Sequence, residues 1–185
     1  MIFERVVVGG YQVNCYILAV AEGAGAVIVD PGSDETRIRK HLAKHRLTPE
    51  LIINTHGHFD HIGCDDAFGV PILCHAQDAP LLKDPELNLS SLLGGKTLVK
   101  SAVRKLIDGE IIAAAGIELQ VIHTPGHSSG GICLLSLKPR GGILLSGDTL
   151  FYRGVGRTDF FGADTDLLLR SIREKIFTLP DDTMV

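Results

Sequence analysis

Apolar positions along the chain fall into short runs closed by Gly, Pro or polar clusters, which is the spacing of strands joined by tight connections. Residues 2–8 are rich in β-branched side chains, Gly9-Gly10 signals a turn, residues 12–20 predict a second strand and residues 26–30 a third. That is an antiparallel start. Ser33 then offers an N-cap, and Ile38 and Leu42 at i, i+4 mark the buried stripe of a helix running to about His45. Residues 51–54 predict a short strand that stops at Thr55-His56. Beyond it the pattern predicts a helix over 60–68, a strand over 71–74, and a stretch over 76–106 that is helical in parts. Residues 117–123, 131–137 and 142–145 read as strands. A last amphipathic helix starts near Asp164 and places Leu168, Ile172 and Ile176 on one face. Strands and helices occur in both halves, and polar clusters sit at strand ends.

The 185 residues, with 45% hydrophobic and 22% charged positions, suit one domain, residues 1–185, with a sizeable core. A net charge of -4, with lysines and arginines scattered, gives no electrostatic footprint for nucleic acid, so none is expected as a partner. Residues 6–21 carry no charge and end in Ala19-Val20-Ala21, imitating a signal-peptide cleavage site. Gly9, Gly10, Gln12 and Asn14 interrupt that run, and it falls short of the ~20 residues that span a bilayer. It reads as two strands and a turn, and no membrane association is expected. The four cysteines (Cys15, Cys64, Cys74, Cys133) are widely spaced and form no CxxC pair, which predicts reduced thiols in a cytoplasmic protein.

The chemistry concentrates in Thr55-His56-Gly57-His58-Phe59-Asp60-His61, which holds three of the eight histidines. Alternate residues of an extended segment point the same way, so His56 and His58 can close on one ion. A following turn or helix start aims Asp60 and His61 at a neighbouring position. Imidazole and carboxylate donors suit zinc, iron or manganese and require no thiolate. Packed together without a metal, these imidazoles would repel one another whenever they protonate. Thr124-Pro125-Gly126-His127-Ser128 and Ser146-Gly147-Asp148-Thr149, each after a strand, are ordinary turns alone and complete a pattern together.

With Asn14-Cys15-Tyr16, Val29-Asp30-Pro31-Gly32 and Gly156-Arg157-Thr158-Asp159, these motifs make nearly the whole chain resemble the metallo-β-lactamase superfamily, specifically its small glyoxalase II-like hydrolases. The resemblance implies an α+β fold, an αββα four-layer sandwich with the site at one edge of two sheets. It implies two divalent ions (Zn, Fe or Mn). His56, His58 and His127 would hold the first, Asp60 and His61 the second, and Asp148 would bridge them. A hydroxide between the ions, oriented by Asp60 as the catalytic carboxylate, would attack a thioester carbonyl. A thiolate leaves without a strong general acid, since free thiols have a pKa of about 8.5, and no such acid stands out in the sequence. A small-molecule thioester is therefore the expected substrate. Arg157 and Asp159 read as an ion pair beside the site, with Arg157 and Tyr152 as candidates for touching substrate. Cys64 reads as a small packed side chain, and His41, His45, His75 and His123 as residues outside the site.

Members of the family continue into a strand ending in Gly-His-Gly, whose histidine completes the second site, whereas this chain stops at Asp182-Thr183-Met184-Val185. The expectation is a C-terminally incomplete domain lacking its last strand and helix, with a weak second metal site. Its exposed sheet edge would invite a homo-oligomer. Two other readings remain at this point. One is a mononuclear Fe(II) persulfide dioxygenase using His56, His127 and Asp148, and the other a metal-binding protein without turnover.

Overall fold

The computed structural model describes residues 1–138 and 142–185. Its first sheet has six strands in chain order: β1 (Ile2–Val8), β2 (Val13–Ala19), β3 (Gly25–Val29), β4 (Thr48–Ile53), β5 (Ile72–His75) and β6 (Val103–Leu106). β1, β2 and β3 run antiparallel, and β3 to β6 are parallel. The second sheet is antiparallel in the order β10-β9-β8-β7, built from β7 (Ile111–Ala114), β8 (Ile117–His123), β9 (Ile132–Ser136) and β10 (Ile143–Leu145). A small hairpin of β11 (Leu150–Phe151) and β12 (Gly154–Val155) follows. Helices α1 (Glu35–Lys44), α2 (Phe59–Ile62) and α3 (Thr165–Ser171) complete the elements, α3 continuing as a π-type turn over Ile172–Ile176.

The alternation of side chains along each strand assigns them to layers. Ala26, Ile28 and Ile52 face outward onto Ile38 and Leu42 of α1, whereas Val27, Val29, Leu51 and Ile53 face inward onto Leu119, Val121, Ile132, Leu134 and Leu145 of the second sheet. On the far side of that sheet, Cys133, Leu135 and Leu144 pack against Ile176 beyond α3. The order of layers is helix, sheet, sheet, helix, the αββα sandwich expected. Strands buried on both faces are near-continuous apolar runs, which is why β3, β9 and β10 were readable. Each fully buried Leu or Ile contributes roughly 1.5–3 kcal/mol.

Several local expectations need correction. Asp34, not Ser33, occupies the N-cap of α1; its side chain caps no amide and instead pairs with Arg37 Nε at 3.1 Å. The helix expected over 60–68 breaks after Ile62 and resumes only as a 3-10 turn over Asp65–Ala67. A Cβ at Gly63, where α2 ends, would lie 2.8 Å from the Gly32 carbonyl oxygen, so the close approach there requires glycine. The 76–106 stretch contains only 3-10 turns, at Leu81–Lys83 and Ser90–Leu93, before it ends in strand β6. The edge of β10 is not bare either. Met184 bridges Ile143 in parallel, accepting from Leu144 N at 2.8 Å and donating to Gly142 O at 3.1 Å. No helix among the described residues is long and apolar enough to cross a membrane.

Candidate metal centre

Every residue singled out for metal binding lies at the ends of strands that converge from both sheets. His56 and His58 follow β4, and Asp60 and His61 sit on α2. His127 follows β8, and Asp148 follows β10. His56, His58 and His127 converge, as do His56, His61 and Asp148, with the ligand atoms of each set within 4.8 Å of one another. His127 Nε2 lies 2.9 Å from His58 Nδ1, 3.3 Å from His56 Nε2 and 3.6 Å from Asp148 Oδ2. His61 Nε2 lies 3.4 Å from Asp148 Oδ1 and 3.9 Å from Asp60 Oδ2. Asp60 thus stands at the margin of the second set, its partly open carboxylate facing an adjoining cavity.

The outer ring nitrogens are occupied, and this fixes which atoms face the centre. His61 Nδ1 donates to Asp30 Oδ2 at 2.9 Å, and His127 Nδ1 donates to the Arg157 carbonyl at 2.8 Å. Thr55 Oγ1 donates to Asp30 Oδ2 at 2.6 Å, which leaves it to accept from His56 Nδ1 at 3.2 Å. Nε2 of His56, His61 and His127 is consequently turned inward, and His58 presents Nδ1, 2.9 Å from His127 Nε2.

The electrostatics favour a cation. Burial, reinforced by neighbouring imidazoles, pushes His56 well below the ordinary histidine range and His58 down to about 3, so both rings are neutral donors. Burial also opposes a charge on His61, but Asp30 and Asp148 outweigh it and hold its pKa well above the usual value. Burial lifts the Asp60 carboxyl. For Asp148, burial acts upward but the hydrogen bond and charge of His61 prevail and draw it down. The neutral nitrogens of His56 and His58 and the Asp148 carboxylate fit a divalent ion of the zinc, iron or manganese type, and His61 would give up its proton to such an ion.

Two buried carboxylates hold this arrangement. Asp30, at the end of β3 with a left-handed backbone (φ 50°), accepts from Thr55 N at 2.7 Å as well as from Thr55 Oγ1 and His61. Asp78, after β5, accepts from Gly57 N at 3.0 Å, Ser128 Oγ at 2.7 Å and Gly130 N at 2.6 Å. It therefore ties the loop between His56 and His58 to the loop that carries His127. Phe160 closes the side with edge-on contacts to His58 and His127, at centroid distances of 5.1 and 5.3 Å. Gly57 and Gly156 are required by close approach: a methyl at Gly57 would lie 2.6 Å from Leu81 Cβ, and one at Gly156 would overlap the Asp148 carbonyl oxygen.

Asp30 appeared in the sequence only as part of a motif without a role, although an acid closing an apolar strand is a legible sign. Asp78 and Phe160 carried no such sign. The Arg157 guanidinium turns away to pair with Asp159 at 2.9 and 3.0 Å in solvent, and its backbone carbonyl is what touches the site. Tyr152 lines the cavity mouth but is 93% exposed. Cys64 is half-buried and burial raises its thiol pKa, which disfavours the thiolate. His41 and His45 approach Glu4, and His75 and His123 stack on one another at 4.1 Å, all outside the centre.

Known proteins can now be set beside this geometry. The sequence profile of the Metallo-beta-lactamase superfamily matches residues 8–185. Among curated relatives, the probable metallo-hydrolase YqgX of Bacillus subtilis is 36% identical, matching 100% of this chain and 88% of its own length. The hydroxyacylglutathione hydrolase GloC of Haemophilus influenzae is 30% identical over 100% of this chain and 89% of its own. Among solved structures, BLEG-1 B3 metallo-beta-lactamase superposes with a TM-score of 0.89 at 38% identity, covering 98% of this chain and 90% of its own. TTHA1623 in a di-iron-bound form gives 0.80 at 32%, covering 97% and 88%. ETHE1 from Myxococcus xanthus gives 0.79 at 26%, covering 98% and 72%.

Proposed function

The chain belongs to the metallo-beta-lactamase superfamily, and from that premise we propose that it is a metal-dependent thioester hydrolase. The observation that carries the reading is the pair of ligand sets sharing His56, with Asp60 at the boundary between them and the open cavity. His56, His58 and His127 would hold one divalent ion, and His61, Asp60 and Asp148 the region of a second, with Asp148 within reach of both. Such ions, when bound, supply Lewis acidity and lower the pKa of water to about 7.

The chain's own groups do the rest. Asp60, partly open to the cavity, orients the attacking water and takes its proton at a carboxylate oxygen. Asp30 holds the His61 ring so that Nε2 stays inward. Water oxygen adds to the acyl carbon, the C–S bond breaks, and the sulfur leaves as a thiolate that solvent protonates. Among the described residues no lysine lines the cavity to protonate an amine leaving group, which favours a thioester over an amide. The 30% identity to GloC across the whole chain supports the same choice.

A second reading has one specific support: His56, His127 and Asp148 are mutually close enough to form a two-histidine, one-carboxylate set of the kind that holds iron in oxygenases. The test assays the metal-loaded chain, with metal content measured, against S-lactoylglutathione, a β-lactam, and a persulfide with oxygen consumption recorded. Thioester turnover that falls at least about 100-fold in Asp60→Asn is the expected result. Turnover confined to the β-lactam, or oxygen uptake without thioester cleavage, overturns the proposal.

A further inference from the structure

Beside the candidate centre lies a cavity of about 500 Å³ whose walls come from two sources. Asp60, His61 and Asp148 form one end, and the β1–β2 hairpin contributes Arg5, Asn14 and Tyr16. The strand register dictates what Arg5 can reach. Val6 and Val8 face the α1 layer, and Glu4, on that same face, pairs with Lys44 at 2.6 Å and His41 at 2.8 Å. Arg5 points to the opposite face, with Tyr16 as its direct cross-strand partner. It is thereby separated by the sheet from the nearest glutamate in sequence.

The result is a guanidinium with unused donors. Arg37, Arg39, Arg46, Arg104 and Arg157 each pair with a carboxylate, and Arg153, Arg170 and Arg173, which make no ion pair among the described residues, stand outside the cavity lining. Arg5 makes no ion pair or side-chain hydrogen bond among the described residues, and it is the one Lys or Arg lining the cavity. The other ionisable side chains of the walls are Asp30, Asp60, His61, Asp148, Tyr11, Tyr16 and Tyr152. Asp30 is spent on Thr55 and His61. Asp60 and Asp148 turn toward the histidines.

Resting on the hydrolase reading above, we propose that Arg5 anchors a carboxylate at the far end of the substrate, so that the substrate class is a thioester bearing an anionic group remote from the reacting carbonyl. A guanidinium presents a planar fork that a carboxylate matches with two parallel hydrogen bonds. In a chain with a net charge of -4, this guanidinium selects for that end group and orients the carbonyl toward Asp60 and Asp148.

The experiment compares three small thioesters: one neutral, one with a carboxylate on the acyl side, and one with it on the thiol side. They are assayed with the parent chain, Arg5→Gln and Arg5→Lys. Non-hydrolysable thioether analogues of the neutral and anionic compounds are titrated by calorimetry in parallel. The expected result is a KM for one anionic thioester that rises about ten-fold or more in Arg5→Gln, with kcat little changed and the neutral compound unaffected. Arg5→Lys should recover part of the loss. Which anionic compound responds identifies the side that carries the carboxylate. Equal behaviour of neutral and anionic compounds in parent and Arg5→Gln, in both turnover and thioether binding, overturns the anchor. Absence of thioester turnover together with Arg5-dependent binding of an anionic thioether would instead remove the hydrolase reading and leave the anchor standing.

Discussion

Replacing Asp78 separates the support of the centre from its ligands, because Asp78 touches none of the inward-facing nitrogens. Its carboxylate is fully buried and accepts three short hydrogen bonds, from Gly57 N, Ser128 Oγ and Gly130 N. In Asp78→Ala those donors lose their acceptor in a place water does not reach. A buried donor left unsatisfied costs about 1–3 kcal/mol. The Ser128 hydroxyl can rotate to another acceptor, whereas the two backbone amides cannot, so the expected loss is about 3–5 kcal/mol. Asp78→Asn keeps the shape but turns one acceptor into a donor facing an amide, for an expected loss of about 2 kcal/mol. The loops of His56–His58 and His127 are joined through this carboxylate, so zinc affinity should fall roughly 10–100-fold even where the fold survives. Guanidinium denaturation of the metal-free chain gives the first quantity, and competition with a chromophoric chelator gives the second. If Asp78→Asn lost stability but bound zinc as tightly as the parent, the claim that Asp78 positions the ligand loops would be refuted.

Glu4 should make stability depend on acid. Burial acts against its charge, but Lys44, His41 and His45 prevail and bring its pKa from 4.5 to about 2. A depressed carboxylate contributes stability above its unfolded pKa and loses it as pH falls through its folded one. Glu4→Gln should therefore cost about 1–2 kcal/mol at neutral pH, discounted for the exposure of Lys44. The gap between parent and variant should close between pH 4.5 and about 2 in urea titrations, and a gap independent of pH would contradict the assignment. Gly156→Ala forces the Asp148 carbonyl and the His127 ring aside, so chelator competition should show weaker metal binding with a smaller change in melting temperature. Stripping metal with a chelator should lower the melting temperature by about 10 °C when the ion had been present at about 1,000 times its Kd. In His58→Ala that shift should shrink to near zero.

How much of this was legible in the sequence follows from where each signal is stored. β3, β9 and β10 are buried on both faces, so their short apolar runs announced them, and α1 and α3 announced themselves by Ile38, Leu42, Leu168 and Ile172 at helical spacing. β6 did not, because an edge strand reading Val-Arg-Lys-Leu is exposed at its centre and carries no alternation. β7 was hidden for a related reason: Ile111 is half exposed and the strand is defined by its pairing with β8 rather than by its own composition. The break after α2 falls at Gly63, which approaches the Gly32 carbonyl, a contact between segments distant in sequence. The six ligand candidates were readable because histidines crowded at strand ends have few structural uses. Asp78 was opaque, since an acid in Ala76-Gln77-Asp78-Ala79 looks like any turn until Gly57 and Gly130 are seen to donate to it. Arg157 misled in the opposite sense, because its conspicuous side chain is idle and its carbonyl is what orients His127.

The same contacts explain why the centre sits between the sheets. Over most of their area the two sheets meet through aliphatic side chains such as Val29, Ile53, Val121 and Ile132, which exert no directional preference. At the site end the contact becomes polar and specific. Ile132 N of β9 donates to the Thr55 carbonyl at 2.8 Å, and Asp78 of the first half receives Ser128 and Gly130 of the second. These bonds set the angular register that the apolar interface leaves free. His127 and Asp148 then arrive within 4 Å of the first-half histidines only when that register is correct. A bound ion would add a third cross-link along the same line. Docking of the sheets, integrity of the Asp30 and Asp78 staples and metal affinity are therefore linked quantities, and a change in any one of them must appear in the other two.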